Sequence, residues 1–122
     1  MVLIDTSIWI RYFMGLAEYR PGLDRLLAGK QVAGHELVYG ELLIGDRGAR
    51  KRSLATYELL RQAKTVPHDD VVALVRFRKL HGRGVGWIDV HLLASAMAEH
   101  MQFWTADDRL AEIARELGVG YK

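Results

Sequence analysis

Short apolar runs that each meet a carboxylate punctuate this chain and limit what it can fold into. Val2-Leu3-Ile4 is closed by Asp5, and Phe103-Trp104-Thr105-Ala106 by Asp107. Glu41 lies inside Leu37-Val38-Tyr39-Gly40-Glu41-Leu42-Leu43-Ile44, and Asp89 stands at the head of Trp87-Ile88-Asp89-Val90-His91-Leu92-Leu93-Ala94-Ser95-Ala96. Carboxylates are rarely placed among apolar side chains unless they are paired or metal-bound, because losing their water is costly. If the fold gathers these four, their mutual repulsion calls for a counter-charge, and hard oxygen ligands suit Mg²⁺ or Mn²⁺. The pattern outlines a metal-dependent phosphodiesterase.

The runs alternate between strand and helix signals. Val2 to Ile4 reads as a short strand buried on both faces, followed by a helix that Asp5-Thr6-Ser7 can cap and Gly15 ends. Further helices are expected over 21–29, 35–44, 49–63, 68–80, 88–100 and 107–117, with strands at 31–33 and 102–105, a minimal strand or bend at 65–66 and an edge strand at 119–121. Gly82, Gly84 and Gly86 mark a hinge before the penultimate helix. This order implies a three-layer α/β domain with a small, mostly parallel sheet, occupying residues 1–122 as one unit. In open parallel sheets, sites form beyond the carboxyl ends of the strands. Asp5 and Asp107 should both arrive at that edge, Asp89 at the start of its helix, and Glu41 projecting inward from the third helix.

Composition narrows the class without deciding it. There are no cysteines, so disulfides and thiolate zinc sites are excluded. No apolar run reaches the roughly 20 residues of a membrane helix, and the N-terminus lacks the basic segment of a signal peptide. A cytoplasmic location without membrane contact is the expectation. The net charge of +2 does not announce a nucleic-acid binder, but eight of the seventeen Lys and Arg residues fall in two clusters. These are Arg47, Arg50, Lys51 and Arg52, then Arg76, Arg78, Lys79 and Arg83. Such patches can hold phosphates, although a solvated helix face is the commoner use of a charge cluster.

Each feature also has a structural reading. An Asp after a strand is often only a helix N-cap. Asp24, Asp46, Glu58, Asp69, Asp70, Glu99, Glu112 and Glu116 read as surface or helix-end charges. His35-Glu36 begins like a zincin motif, but Tyr39 stands where the second ligand is needed. His91 should point away from Asp89 on its helix, and His81 reads as a solvated helix end. Trp9, Trp87 and Trp104 are placed like core or interface residues, with base stacking as the functional alternative. Ser7 and Ser95 have no histidine and acid at recognisable spacing, which disfavours nucleophilic serine chemistry.

Taken together, four segments resemble the motifs of PIN domains, in particular those of VapC-type toxins. Leu3-Ile4-Asp5-Thr6-Ser7-Ile8-Trp9-Ile10 matches the first motif, and Tyr39-Gly40-Glu41-Leu42 the second. The third is matched by the segment from Gly84 to Ala96 around Asp89, and the fourth by Trp104-Thr105-Ala106-Asp107-Asp108-Arg109-Leu110. The resemblance spans essentially the whole chain. It implies a three-layer α/β/α PIN-like fold and an endoribonuclease that uses Mg²⁺ or Mn²⁺. Asp5, Glu41, Asp89 and Asp107 would form the acidic, metal-binding and catalytic site, with Thr6, Ser7 or Thr105 orienting carboxylates through their hydroxyls. Asp108 adjoins Asp107, but the Thr-x-Asp spacing from Thr105 selects Asp107. The implied partners are an RNA substrate, a cognate antitoxin protein covering the acidic groove, and a second copy in a homodimer. Ile8, Trp9, Tyr12 and Phe13 are candidates for interface or core.

The chemistry follows from charge. Bare carboxylates repel a phosphodiester, whereas bound cations reverse the local field and lower the pKa of a coordinated water. A water nucleophile leaves the RNA 2′-OH out of the reaction, so products would carry 5′-phosphate and 3′-hydroxyl ends. Phosphoaspartyl enzymes are disfavoured: a haloacid-dehalogenase-like site needs an acid where Ser7 stands, and a receiver-like site needs paired acids beside Asp5. A DNA nuclease would lack room for a clamping element. A non-catalytic PIN-like RNA-binding or scaffold module is the alternative, weakened by the presence of all four acids.

Overall fold

In the computed structural model, which describes residues 1–122, the first apolar run becomes strand β1 (Val2–Ile4), with all three side chains buried. Helices α1 (Thr6–Phe13) and α2 (Arg20–Ala28) follow, then β2 (Val32–Gly34), α3 (Glu36–Gly45) and α4 (Lys51–Glu58). The chain continues through β3 (Arg61–Gln62), α5 (His68–Arg78), α6 (Trp87–Ala98), β4 (Gln102–Trp104) and α7 (Asp108–Glu116). The four strands form one parallel sheet in the order β3-β2-β1-β4, within a three-layer α/β/α fold. Every crossover between parallel strands needs a long connection, and here helices supply them.

The core follows from the apolar pattern. A cluster of 27 buried residues joins β1, β2 and β4 to the inner faces of the helices. α6 is its spine: Val90, Leu92, Leu93, Ala94, Ser95 and Ala96 are all buried, which is why this stretch is apolar around its circumference. Ile8 and Trp9 of α1 are also core, so the proposal that they serve an interface gives way to packing, while Tyr12 and Phe13 pack against the core half-buried. No helix is long and apolar enough to cross a membrane.

Three segments depart from the sequence expectation. The helix expected over 49–63 stops at Glu58, and Arg61–Gln62 inside it forms the edge strand β3, paired with Ala33 and Gly34. Both residues of β3 are exposed and polar, so the strand carries no apolar alternation to announce it. Residues 65–66, expected as a minimal strand or a bend, lie outside any regular element. The expected edge strand at 119–121 is reduced to a single bridge between Phe103 and Gly120.

Candidate active site

Register decides what meets at the carboxyl edge of the sheet. Ile4 of β1 lies level with Trp104 of β4, and the Asp5 N–H donates to the Trp104 carbonyl at 2.9 Å. Asp5 and Thr105 therefore leave the sheet side by side, a hundred residues apart in sequence. The Thr105 hydroxyl donates to Asp5 Oδ2 at 2.7 Å, and the Ser7 hydroxyl donates to the same oxygen at 2.7 Å. Asp5 occupies the N-cap position of α1 but makes no side-chain capping bond. A carboxylate that is only 5% exposed, held by two hydroxyls and not used as a cap, is not accounted for by helix capping.

The other three acids are anchored in different ways. Thr6, buried at the start of α1, donates its hydroxyl to Glu41 Oε1 at 2.6 Å and so ties α3 to α1. Glu41 itself is exposed although apolar residues surround it in sequence; of these, Leu43 and Ile44 are exposed too. Asp89 Oδ2 accepts from the Gly86 N–H at 2.9 Å, fixing the first turn of α6. Asp107 caps α7: its Oδ1 accepts from the Arg109 N–H at 2.9 Å and the Leu110 N–H at 3.2 Å. Asp108 lies in the first turn of α7, where a negative charge suits the helix dipole.

One pattern runs through all four. Each carboxylate has one oxygen held by protein donors (Oδ2 of Asp5, Oε1 of Glu41, Oδ2 of Asp89, Oδ1 of Asp107), and its other oxygen accepts no protein hydrogen bond. The groups also share one electrostatic field. Burial pushes the Asp89 carboxyl above the usual range, the Gly86 N–H opposes this, and the charges of Asp5, Glu41 and Asp107 push it further up. The charges of Asp5, Glu41 and Asp107 thus all act on Asp89, although no three acidic or histidine side chains stand close enough together to grip one ion. Anchored carboxylates with free oxygens and unrelieved repulsion fit a hard divalent cation in donor type.

The hydroxyl set around Asp5 is wider than one contact. The Ser7 oxygen accepts from the Ala106 N–H at 3.0 Å, and the Thr105 oxygen accepts from the Asp107 N–H at 3.1 Å. The loop that carries Asp107 is thereby bound to the loop that carries Asp5. The glycine hinge approaches the same edge: Gly84 has a φ of +81°, and a Cβ there would collide with the Arg109 guanidinium. The left-handed backbone at Gly84 favours glycine, and any side chain there would have to displace the Arg109 guanidinium.

Comparison with known proteins agrees with this architecture. The PIN-domain profile matches residues 2–116. The chain belongs to the PIN-domain family. Among curated PIN relatives, Ribonuclease VapC32 of Mycobacterium tuberculosis is 39% identical over 120 residues, covering 98% of this chain and 94% of the relative, in both strains CDC 1551 and H37Rv. The match places the chain with the VapC-type members of the PIN family. The crystal structure of PAE2754 from Pyrobaculum aerophilum shares the fold with a TM-score of 0.58 at 16% identity, covering 96% of this chain and 94% of that one.

Sequence reasoning missed one polar centre near this PIN-domain site. His35 is completely buried at the N-cap of α3; its Nδ1 accepts from the Leu37 N–H at 3.0 Å. Nε2 therefore carries the proton and donates to the buried Ser95 hydroxyl of α6 at 2.9 Å. The His35 N–H donates to the Tyr57 hydroxyl at 2.8 Å, adding α4 to the junction. A histidine and serine 60 residues apart leave no spacing signal; only the buried position of Ser95 in an apolar helix hinted at a partner. With no acid in the set and no solvent access, it is a structural junction rather than a nucleophilic site.

Proposed function

We propose that this protein is a metal-dependent endoribonuclease, the toxin of a toxin–antitoxin pair, which hydrolyses RNA phosphodiester bonds at the edge formed by Asp5, Glu41, Asp89 and Asp107. The observation that carries the reading is the set of four carboxylates, each fixed through one oxygen and coupled through Asp89. The 39% identity to a ribonuclease over nearly the whole chain supports RNA as the substrate. The same reading includes a cognate antitoxin as partner, a homodimer, and action in the cytoplasm.

Asp5, Glu41, Asp89 and Asp107 would hold Mg²⁺ or Mn²⁺ through the oxygens that the protein leaves unbonded. Such an ion, when bound, offsets the repulsion of the phosphate and acidifies water. The chain itself supplies position. Ser7 and Thr105 fix the rotamer of Asp5, Thr6 that of Glu41, and the Gly86 N–H that of Asp89. Residues that orient ligand carboxylates typically change activity by about 10- to 100-fold when removed. Thr105→Val keeps the shape of the side chain but removes one donor to Asp5 and the acceptor for the Asp107 N–H. It is expected to slow cleavage by about that factor with little loss of thermal stability, measured as initial rates beside a melting curve.

The test of the function is a pool of cellular RNAs incubated with purified, antitoxin-free protein in Mg²⁺, Mn²⁺ or EDTA. Discrete cuts with 5′-phosphate ends are expected with metal and none with EDTA. Products ending in 2′,3′-cyclic phosphate, or cutting that EDTA leaves untouched, would overturn the mechanism. Folded protein that binds RNA but never cuts it would be a non-catalytic RNA-binding module.

A further inference from the structure

The three tryptophans have different surroundings. Trp9 is buried in the core, and Trp104 is half-buried with Tyr19 and Tyr121 around it, at ring distances of 6.2 and 5.2 Å. Trp87 is 44% exposed, although it is the first residue of α6 and stands two positions before Asp89. It is not loose. The His91 ring lies 4.9 Å away at 90°, one turn along the same helix, and the His68 ring of α5 lies 5.3 Å away at 58°. The more exposed Phe77 has no aromatic neighbour of this kind.

We propose that Trp87, packed against His68 and His91, is a nucleobase-stacking subsite for the RNA strand at the acidic edge, an assignment that rests on the nuclease reading above. α5 follows β3 and α6 leads back to β4, so in this parallel sheet His68, Trp87 and Asp89 all stand at helix starts on the carboxyl edge, the edge that Asp5 and Asp107 also occupy. Stacking requires an accessible, rigid π-face, and neighbouring rings that already restrict the indole reduce the ordering lost on binding. A strand whose phosphates approach four carboxylates needs affinity that does not depend on charge, and base stacking supplies it without regard to sequence.

The test measures binding of short oligoadenylate and of an abasic strand of equal length in Mg²⁺. Both are titrated against protein carrying Asp107→Asn, which removes a charge but retains an N-cap acceptor. Anisotropy of a 5′-labelled strand measures affinity for every variant and both strands, and intrinsic fluorescence of the protein that retains Trp87 reports the contact, since Trp87 is the most exposed of the three indoles. Oligoadenylate is expected to quench it. Adding Trp87→Ala should weaken oligoadenylate binding by roughly five- to a hundredfold and leave the abasic strand unchanged. Trp87→Phe should retain most of the affinity, which separates stacking from a folding defect. Equal affinity of the Trp87→Ala protein for oligoadenylate, or no preference for oligoadenylate over the abasic strand, would overturn the proposal. If RNA is cut with the same KM when Trp87 is Ala in the otherwise unchanged protein, stacking fails and the nuclease reading stands. Base-dependent binding through Trp87 without cleavage in any metal would uphold the subsite and defeat the nuclease reading.

Discussion

Asp5→Asn is expected to lower RNA cleavage by at least about a hundredfold while leaving the protein folded; the bound follows from the losses seen when only a residue orienting a ligand is removed. Asp5 is the most enclosed of the four acids, and two hydroxyls converge on its Oδ2. Asn has the same shape, and its amide oxygen can accept both hydroxyl protons, so the loops carrying Ser7 and Thr105 keep their junction. What disappears is one of the three negative charges that act on Asp89. Removing it should also bring the Asp89 carboxyl back towards its ordinary range, since Asp5 is one of the charges holding it up. Cleavage rates and thermal unfolding measured side by side check the claim. Activity within about threefold of the parent would remove Asp5 from the site, and a collapsed melting curve would reassign it to the scaffold.

The legibility of this fold from sequence was uneven for physical reasons. β1 and α6 were legible because total burial leaves continuous apolar runs, and Asp5 and Asp107 because each follows such a run at the sheet edge. β3 was not: two exposed polar residues on an edge strand are defined by the backbone of Gly34 and its neighbour, not by their own side chains. Glu41 was legible as a helix position but its exposure was not, because exposed Leu43 and Ile44 mimic a buried environment in one dimension. The sequence pattern also leaves packing and base stacking open for Trp87, since an apolar helix end does not reveal that its first residue is 44% exposed. The hydroxyl bridges from Thr6, Ser7 and Thr105 were anticipated only as a role; which oxygen each one holds depends on strand register.

His35→Ala should be the most damaging single substitution away from the acids, lowering stability by ~3 kcal/mol and the melting temperature by the order of 10 °C. The side chain is completely buried and joins α3 to α6. Truncation removes the cap on the Leu37 N–H, worth about 1 kcal/mol, leaves the Ser95 hydroxyl buried without its partner at a cost of about 1–3 kcal/mol, and opens a cavity. His35→Asn separates these contributions: it restores the cap but cannot span the distance to Ser95, so it should recover about 1 kcal/mol. The junction also fixes a pH dependence. Burial holds the His35 pKa below its ordinary value, with the nearby His91 acting in the same direction and Glu36 against it. The unfolded chain therefore takes up this proton at higher pH than the native one does. The stabilising contribution is complete above about pH 6.5, the unfolded value, and is lost as pH falls from there towards the lower native pKa. Chemical denaturation between neutral and mildly acidic pH should show stability declining in the parent and a shallower decline in both substituted proteins. Equal slopes in all three would mean that His35 does not stay neutral in the folded core.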